Sequence, residues 1–167
     1  MNSTIEIVNN FFSEEELNIL NKEIALGNWN LQGSSTSKPF NPMFWFKDIF
    51  QTQATVLYTE KLQRGLGYKL IIDRLYVNGQ AHGQCGDWHT DVSPGSLNCF
   101  TVVHFFQEWQ PEFGGHLLIK SNPVTSIIPE FNKAVIFDST VEHMGMEPTS
   151  HCKTQRESIA CKFRIIT

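Results

Sequence analysis

Six short segments in the second half of the chain restrict the architecture that this sequence can adopt. Each is rich in β-branched and aromatic residues and is bounded by Gly, Pro, Asn or Ser, a pattern typical of β-strands joined by turns. The segments are "KLIIDRLYV", "CFTVVHFFQ", "GGHLLIK", "TSIIP", "KAVIFD" and "ESIACKFRII". No intervening stretch is long enough for repeated helical crossovers, so we expect mainly antiparallel pairing. The predicted architecture is a jelly roll, whose two sheets leave a mouth that can hold a small ligand.

Two helices are predicted before these strands. In "SEEELNILNKEIALG", Ser13 has the properties of an N-cap, Glu16 completes a capping box, and Gly27 marks the predicted end. Between Lys47 and Gly65, apolar residues recur at three- and four-residue steps, which predicts a second amphipathic helix. The predicted fold class is therefore α+β. We expect one domain over residues 1–167, helical over about 1–68 and a jelly roll over about 69–167.

Residues 28–42 separate the two predicted helices and are rich in Ser, Gly, Asn and Pro, which predicts a loop. Aromatic side chains are then concentrated in "PFNPMFWF". We interpret this segment as part of the core, and the alternative is a flap over a binding site. Substrate specificity is expected to reside in loops around the mouth, over residues 28–42, 78–88 and 93–98.

Composition excludes several classes of protein. The chain has 167 residues, of which 41% are hydrophobic, and this is enough for one compact core without a structural metal or disulfide. A net charge of -4 argues against a nucleic-acid partner, whose phosphates attract basic surfaces. The four cysteines form no Cys-x-x-Cys pair, the first residues lack a signal-peptide pattern, and no apolar run approaches the roughly 18 residues of a membrane span. We therefore expect a cytoplasmic protein that does not associate with membranes.

The segment "CGDWHTDVSPG" contains a candidate metal site. On extended chain, the two-residue repeat directs His89 and Asp91 to one face, where both can contact the same ion. His143, which follows the apolar "AVIFD" run, is the candidate third ligand. Two histidines and one carboxylate leave open coordination positions and are typical of non-haem Fe(II) oxygenases. A structural zinc site would need a fourth ligand, for which Cys85 is a candidate.

The remaining histidines are interpreted differently. His104 and His116 lie in strand-like runs and are expected to pack or to form hydrogen bonds. His82 lies in the glycine-rich segment "NGQAHGQCG", which is expected to lead to the mouth of the jelly roll. His151 is the alternative third ligand. We favour His143 because it directly follows a predicted strand, while His151 lies in a polar loop.

Arg156 and Ser158 begin the last predicted strand, in "RES". Their two-residue spacing places both side chains on one face. A guanidinium can donate two parallel hydrogen bonds to a carboxylate, and a serine hydroxyl can donate a third. The pattern predicts a carboxylate-binding site, and the alternative is a surface arginine on an edge strand.

Together these residues resemble those of the Fe(II)/2-oxoglutarate-dependent dioxygenases, and within them the prolyl 4-hydroxylase-like branch. The resemblance extends from about Lys69 to the C-terminus. It is carried by "RLYVNGQ" before the His-x-Asp, and by "VVHFFQEWQPEFGGHLLI", "IIPEFNKAVIFDSTVEH" and "RESIACKF". It implies a double-stranded β-helix, the jelly roll of this family, with iron bound by His89, Asp91 and His143.

The resemblance also implies a site for the co-substrate 2-oxoglutarate. Arg156 would bind its distal carboxylate, with Ser158 assisting. Tyr76 occupies the place of a tyrosine that hydrogen-bonds the co-substrate in relatives, and its alternative role is that of a core aromatic. Where many relatives have a second tyrosine this chain has Phe105, which cannot donate a hydrogen bond, so we expect a more apolar pocket. Thr101 shares the strand face of Phe105 and is expected to line the same pocket.

The implied reaction consumes 2-oxoglutarate and O2 at Fe(2+) and releases succinate and CO2 as the substrate is hydroxylated. Ascorbate is a further reductant that the resemblance allows. Asp91 favours hydroxylation over halogenation, because related halogenases have a small residue at that position. The expected substrate is a peptidyl prolyl residue, a similar residue, or a small molecule.

Two other functions are each consistent with part of the sequence. A nucleic-acid demethylase would be expected to have an Asn-x-Tyr before the His-x-Asp and an Arg-rich C-terminal signature, which "DRLYVNGQ" and "RESIACKFR" do not match. A metal-holding jelly roll that binds a ligand without turnover would share the fold. Such a binder, however, has no need of a carboxylate clamp like Arg156 beside open metal positions.

Overall fold

The computed structural model describes residues 5–36, 42–92 and 95–166 of the chain. Within these ranges two α-helices, one short 3-10 helix (Pro111–Phe113) and ten strands are formed. The α-helices are α1 (Glu14–Leu26) and α2 (Gln53–Leu66). The strands are β1 (Glu6–Val8), β2 (Asn30–Gly33), β3 (Phe44–Asp48), β4 (Lys69–Gln80), β5 (Cys99–Phe105), β6 (Leu117–Ile119), β7 (Thr125–Ile127), β8 (Lys133–Asp138), β9 (His143–Gly145) and β10 (Arg156–Ile166).

The strands form two sheets. Seven of them follow the order β1-β8-β5-β10-β4-β3-β2, and three follow the order β7-β6-β9. Every pairing between described strands is antiparallel. Two antiparallel sheets accompanied by two helices confirm the predicted α+β class and the jelly roll.

The large sheet has two chemically different faces because side chains alternate along each strand. On β10, Ile159, Cys161 and Phe163 are buried in the core that the sheet shares with the helices. The residues that alternate with them, Ser158, Ala160 and Lys162, line a cavity on the opposite face. A second, smaller core lies on that side, where β5 and β8 contact the three-stranded sheet. Its members are Val103, Phe105, Leu117, Ile119, Ile127, Val135 and Phe137.

A β-bulge in β4 changes which of its side chains face the cavity. Arg74 pairs with Lys162 and Ile72 pairs with Phe163, so that Asp73 is an extra residue on β4. An extra residue reverses the alternation of side chains beyond it. As a result, Arg74 and Tyr76 face the cavity, although Ile72 is buried in the core on the helix side.

Helix α1 agrees with its prediction, whereas α2 begins later than predicted. The Ser13 hydroxyl accepts from the Glu16 backbone N–H at 3.2 Å, the Glu16 carboxylate accepts from the Ser13 N–H at 2.8 Å, and Gly27 ends the helix. The predicted start of α2 at Lys47 is wrong, because Lys47 lies in β3 and donates to the Ile24 carbonyl at 2.6 Å. The helix ends at Gly67 with a left-handed φ of 73°.

The loop predicted over residues 28–42 is also partly wrong, since β2 occupies Asn30–Gly33 and pairs with β3. The aromatic segment after it is split between two environments: Phe44 is buried and faces the cavity, while Trp45 is 37% exposed. Its first part, residues 39–41, lies outside the described residues, as do residues 93–94 of the predicted specificity loop. Strands β1, β3 and β9 were likewise not predicted, because short strands without a clear turn-bounded apolar run depend on their partners for stability.

Neither α1 nor α2 is long and apolar enough to cross a membrane.

Candidate metal centre and co-substrate site

His89, Asp91 and His143 come together although they are far apart in the chain. One ligand atom from each residue lies within 4.8 Å of the other two. The backbone sets this geometry: the His89 N–H donates to the His143 carbonyl at 3.1 Å, and the His143 N–H donates to the His89 carbonyl at 2.9 Å. Asp91 is placed by a backbone hydrogen bond of 2.9 Å from its N–H to the Ser139 carbonyl. The cluster therefore has the composition and spacing to hold one metal ion.

Hydrogen bonds orient both imidazoles toward Asp91. Nδ1 of His89 lies 2.8 Å from the Asp87 carbonyl, and Nδ1 of His143 lies 3.0 Å from the Val141 carbonyl. A carbonyl can only accept, so each Nδ1 carries a proton, and in the neutral ring Nε2 is then the nitrogen that offers its lone pair. Both Nε2 atoms lie 3.6 Å from an Asp91 carboxylate oxygen. The rings are thus in the tautomer that a metal ion requires.

The Asp91 carboxylate is held at both oxygens. Thr101 Oγ1 donates to Oδ2 at 2.6 Å, and the Lys162 ammonium donates to Oδ1. Burial disfavours the charged carboxylate, but Lys162 and His143 outweigh it and hold the pKa of Asp91 below its ordinary value. Burial lowers the pKa of His143, despite the opposing effect of Asp91, and favours the neutral ring. Both residues are therefore in the protonation states that bind a divalent cation.

Arg156 lies in the same cavity and is 2% exposed. Its guanidinium donates to the Gln80 side-chain oxygen and stands over the Phe105 ring, with Cζ 5.4 Å from the centroid. Burial lowers the pKa of Arg156 to about 10, so the group stays charged at neutral pH. Gly115 provides room for it, because a Cβ there would lie 2.7 Å from Arg156 Cδ.

No carboxylate in the described part of the chain pairs with Arg156, and its Nε has no hydrogen-bond partner. A buried, charged guanidinium without an acidic partner is costly unless a ligand supplies the negative charge. The chemistry of this site therefore fits the carboxylate of a bound co-substrate.

A cavity of about 430 Å³ connects the cluster with Arg156. The predicted site residues that line it are His89, Asp91, His143, Arg156, Ser158, Tyr76 and Thr101. Phe105 does not line it and lies in the smaller core beneath Arg156. Tyr76 contacts Phe46, with ring centroids 5.0 Å apart, at the cavity wall.

Among the cavity residues that were not predicted as site residues are three with strong hydrogen-bonding groups: Gln80, Arg74 and Lys162. Lys162 could have been found by extending the two-residue repeat from Arg156 and Ser158 along β10. The bulge at Asp73 conceals the position of Arg74, because it breaks that repeat on β4.

The other histidines and Cys85 lie outside the ligand cluster. His104 is buried, with Nδ1 2.7 Å from the Tyr58 hydroxyl, and His116 Nδ1 lies 2.9 Å from the Ser126 hydroxyl, so both form hydrogen bonds as expected. His82 Nδ1 lies 3.1 Å from the Pro148 carbonyl, and His151 is exposed.

A two-histidine, one-carboxylate cluster in a jelly roll is typical of non-haem iron oxygenases, and a buried arginine in the same cavity, with no acidic partner among the described residues, fits those that use a dicarboxylate co-substrate. The family model of the 2OG-Fe(II) oxygenase superfamily matches residues 75–164, more than half of the chain, and the chain belongs to this superfamily. It is accordingly an oxidoreductase of the dioxygenase type, with Fe(2+), 2-oxoglutarate and O2 as cofactor and co-substrates. No curated protein matches it.

Several solved structures share the fold. A prolyl hydroxylase from Trichoplax adhaerens, in complex with a peptide fragment of the hypoxia inducible factor oxygen degradation domain, is 16% identical with a TM-score of 0.71, over 97% of this chain and 83% of that one. A Pseudomonas putida prolyl-4-hydroxylase is 17% identical with a TM-score of 0.69, over 98% and 93%. The non-heme alpha ketoglutarate dependent epimerase SnoN from nogalamycin biosynthesis is 12% identical with a TM-score of 0.67, over 96% and 77%. The fold of this chain is thus that of prolyl hydroxylases and of other enzymes of the class.

Proposed function

We propose that this protein hydroxylates a peptidyl prolyl residue, a similar residue, or a small molecule, and that it releases succinate and CO2. In this proposal His89, Asp91 and His143 bind Fe(2+), and Arg156 binds the distal carboxylate of 2-oxoglutarate. The observation that carries it is the buried, charged Arg156 guanidinium, which has an unpartnered Nε and no acidic partner in the described chain, in the same cavity as the ligand cluster.

The ligand cluster supports iron rather than a structural zinc ion. Its three donors are two imidazole nitrogens and one carboxylate, and Cys85 does not complete a fourth position within the described residues. A site with three protein ligands leaves coordination positions for a co-substrate and for O2. Bound Fe(2+) supplies the oxidising chemistry, and the protein supplies binding and orientation.

The remaining cavity residues have distinct roles in this proposal. Ser158 faces the cavity two residues beyond Arg156 and is assigned a second hydrogen bond to the same carboxylate. Thr101, which bonds to Asp91 at 2.6 Å, acts by holding that carboxylate in position. Tyr76 is assigned to the wall near the metal, and Phe105 supports the Arg156 guanidinium from below. A role for ascorbate stays a prediction.

The cavity wall supports a substrate with an apolar body. Phe44, Phe46 and Tyr76 form an aromatic patch on β3 and β4, beside the polar residues Ser34 and Ser35 that follow β2. A flat or ring-shaped group can pack on such a patch. The structural relatives include a prolyl hydroxylase with a bound peptide and an epimerase, so a prolyl ring and a small metabolite both remain in the proposal.

The test is 2-oxoglutarate binding and turnover by an Arg156→Met variant. Loss of a charge-assisted, two-point interaction of about 1.5–3 kcal/mol should weaken 2-oxoglutarate binding roughly 10- to 100-fold. The amount of succinate that the iron-loaded protein forms in the absence of substrate should fall together with the affinity for 2-oxoglutarate. The matched control is Arg164→Gln, which removes an exposed arginine of the same strand that pairs with Asp73. Equal 2-oxoglutarate affinity in parent, Arg156→Met and control would contradict the proposal.

The substrate is identified by mass spectrometry. Incubation of the iron-loaded protein with prolyl peptides, free amino acids and related metabolites should yield a product heavier by one oxygen atom. The expected product depends on both 2-oxoglutarate and O2. Absence of succinate formation under every condition would favour the alternative of a binder without turnover.

A further inference from the structure

Two cationic side chains of the cavity, Arg74 and Lys162, are not assigned as ligands of iron or 2-oxoglutarate, although Lys162 donates to the proposed metal ligand Asp91. They face each other in the pairing of β4 with β10, and both line the cavity. Arg74 Cζ lies 4.9 Å from the centroid of the Tyr76 ring, and Lys162 Nζ lies 5.6 Å from it. Two positive charges are thus held beside one aromatic ring, at the wall where Arg74 is exposed to solvent.

In the described part of the chain Arg74 has no acidic partner, and Lys162 has only one, which it would share with the metal ion. Lys162 contacts Asp91, which is already assigned to the metal ion. Arg74 forms no salt bridge with a described residue, and the adjacent Asp73 pairs instead with Arg164 at 3.1 Å. The Lys162 side chain is only 14% exposed, so solvent does little to compensate its charge.

With iron and 2-oxoglutarate bound, the cavity would carry more positive than negative charge. Among the described residues, Asp91 is the only carboxylate that lines it. The two positive charges of Fe(2+) and the one of Arg156 equal the two negative charges of 2-oxoglutarate and the one of Asp91. The positive charges of Arg74 and Lys162 are then left over. In a partly desolvated site such charges favour an anionic ligand.

We propose that the substrate carries a compact oxyanion, a carboxylate or phosphate group, which binds between Arg74 and Lys162 while its apolar part packs on the Phe44 and Phe46 rings. This inference rests on the proposed iron and 2-oxoglutarate sites and specifies the substrate class for them. Arg74 makes a forked contact suited to a planar oxyanion, and Lys162 adds a point charge close to the metal. The oxyanion then fixes the distance between the substrate's charged end and the carbon that is hydroxylated.

The experiment measures binding directly and needs no turnover. The protein is loaded with Mn(2+) and 2-oxoglutarate, and the paramagnetic relaxation of three small probes is followed by NMR: acetate, inorganic phosphate and acetamide. Acetate and acetamide have nearly the same shape and differ in charge. We expect saturable relaxation enhancement for acetate, phosphate or both, and none for acetamide. The probe with the larger effect indicates whether the oxyanion is a carboxylate or a phosphate.

Three variants assign the effect to this site. Arg74→Gln should weaken probe binding about tenfold, the loss expected for one charge-assisted hydrogen-bonded contact. Arg74→Lys should retain part of the binding, since it keeps the charge. Arg164→Gln, the control on β10, should bind like the parent. The affinity for 2-oxoglutarate is measured in all three variants, and Arg164→Gln should keep that of the parent.

Equal enhancement of acetate and acetamide, or equal binding by the parent and Arg74→Gln, would overturn the inference. If the parent still binds 2-oxoglutarate, either result contradicts only this inference and not the proposed function. Failure of the parent to bind 2-oxoglutarate at all would instead overturn the proposed function.

Discussion

Gln80 determines the direction in which the Arg156 guanidinium points. Its side-chain oxygen accepts from Arg156, and its side-chain nitrogen donates to the carbonyls of Gln84 at 2.7 Å and Gly145 at 3.2 Å. Because Gly145 belongs to β9, Gln80 links the two sheets beside the proposed carboxylate site. A buried residue with all its hydrogen bonds satisfied holds a neighbour in one orientation. Gln80 is thus a positioning residue for Arg156.

Two substitutions of Gln80 are expected to differ in a way that reveals this role. Gln80→Leu should weaken 2-oxoglutarate binding about tenfold, because Arg156 loses its orienting acceptor. Gln80→Glu should weaken it further, because the new carboxylate would neutralise the charge that the co-substrate needs. Isothermal titration of the metal-loaded protein checks both, with Gln63→Leu on α2 as control. Equal loss in the Leu and Glu variants would indicate a purely structural role.

Strand β5 shows how one element serves two purposes. Thr101 faces the cavity and bonds to Asp91, whereas His104 faces the helices and lies in the main core. The His104 ring is fully buried, and it bonds to Tyr58 at 2.7 Å and to Asn132 at 3.3 Å. This network connects α2 and the segment before β8 to the centre of the large sheet. The predicted hydrogen-bonding role of His104 is therefore structural.

His104 is expected to make stability depend on pH. Burial lowers the pKa of His104 from 6.5 to about 3, although its bond to Asn132 partly opposes this. Between these values the unfolded chain binds a proton that the folded one does not, so the free energy of unfolding should fall as pH falls. The free energy of unfolding should fall by about 1.4 kcal/mol per pH unit within this window. Above pH 6.5 the ring is neutral in both states, so no stability is lost there. Urea unfolding at several pH values measures it.

The matched variants are His104→Gln and His116→Gln. The first removes the buried titrating ring and should flatten the pH dependence relative to the parent, even though it lowers stability overall. The second removes a partly exposed ring that contacts Ser126 and should leave the dependence unchanged. Parallel curves for the parent and His104→Gln would refute this explanation.

At the scale of the whole molecule, the cavity lies between the two sheets and is lined by residues of both. The large sheet is supported by the helices on its far face, and the smaller core joins its near face to the three-stranded sheet. The ligand cluster draws on both parts, because His143 begins β9 of the small sheet and Asp91 bonds to Thr101 of the large one. Metal and 2-oxoglutarate binding should therefore stabilise the contact between the sheets.

Ligand binding is thus expected to raise the melting temperature. A ligand at 100 times its Kd adds about 2.7 kcal/mol, which corresponds to roughly 5–10 °C for a chain of this size. Thermal unfolding under anaerobic conditions, with and without Fe(2+) and 2-oxoglutarate, measures the shift, and a chelator should reverse it. His143→Ala should show no metal-dependent shift, while His151→Ala should behave like the parent. A full shift in His143→Ala would remove His143 from the metal site.

Local patterns in the sequence were enough to predict most of the sheet and the centre of the site. Alternation along a strand is a property of adjacent residues, so "HTD" and "RES" already indicate which side chains share a face. The capping box of Ser13 and Glu16 is equally local and agrees with the structure. The turn formers between apolar runs predicted six strands for the same reason.

Other features depend on contacts between distant segments, and only the tertiary structure decided them. Strands β1, β2, β3 and β9 are short and form because a partner strand is present. The bulge at Asp73 places Arg74 in the cavity, and burial without an acidic partner in the described segments leaves the charge of Arg156 uncompensated. The net charge around a side chain depends on every residue that lies near it in space, including residues far away in the sequence. The alternation of side chains along a strand depends only on consecutive residues. Hence the candidate metal ligands could be read from the chain, but the surplus of positive charge that defines the proposed substrate could not.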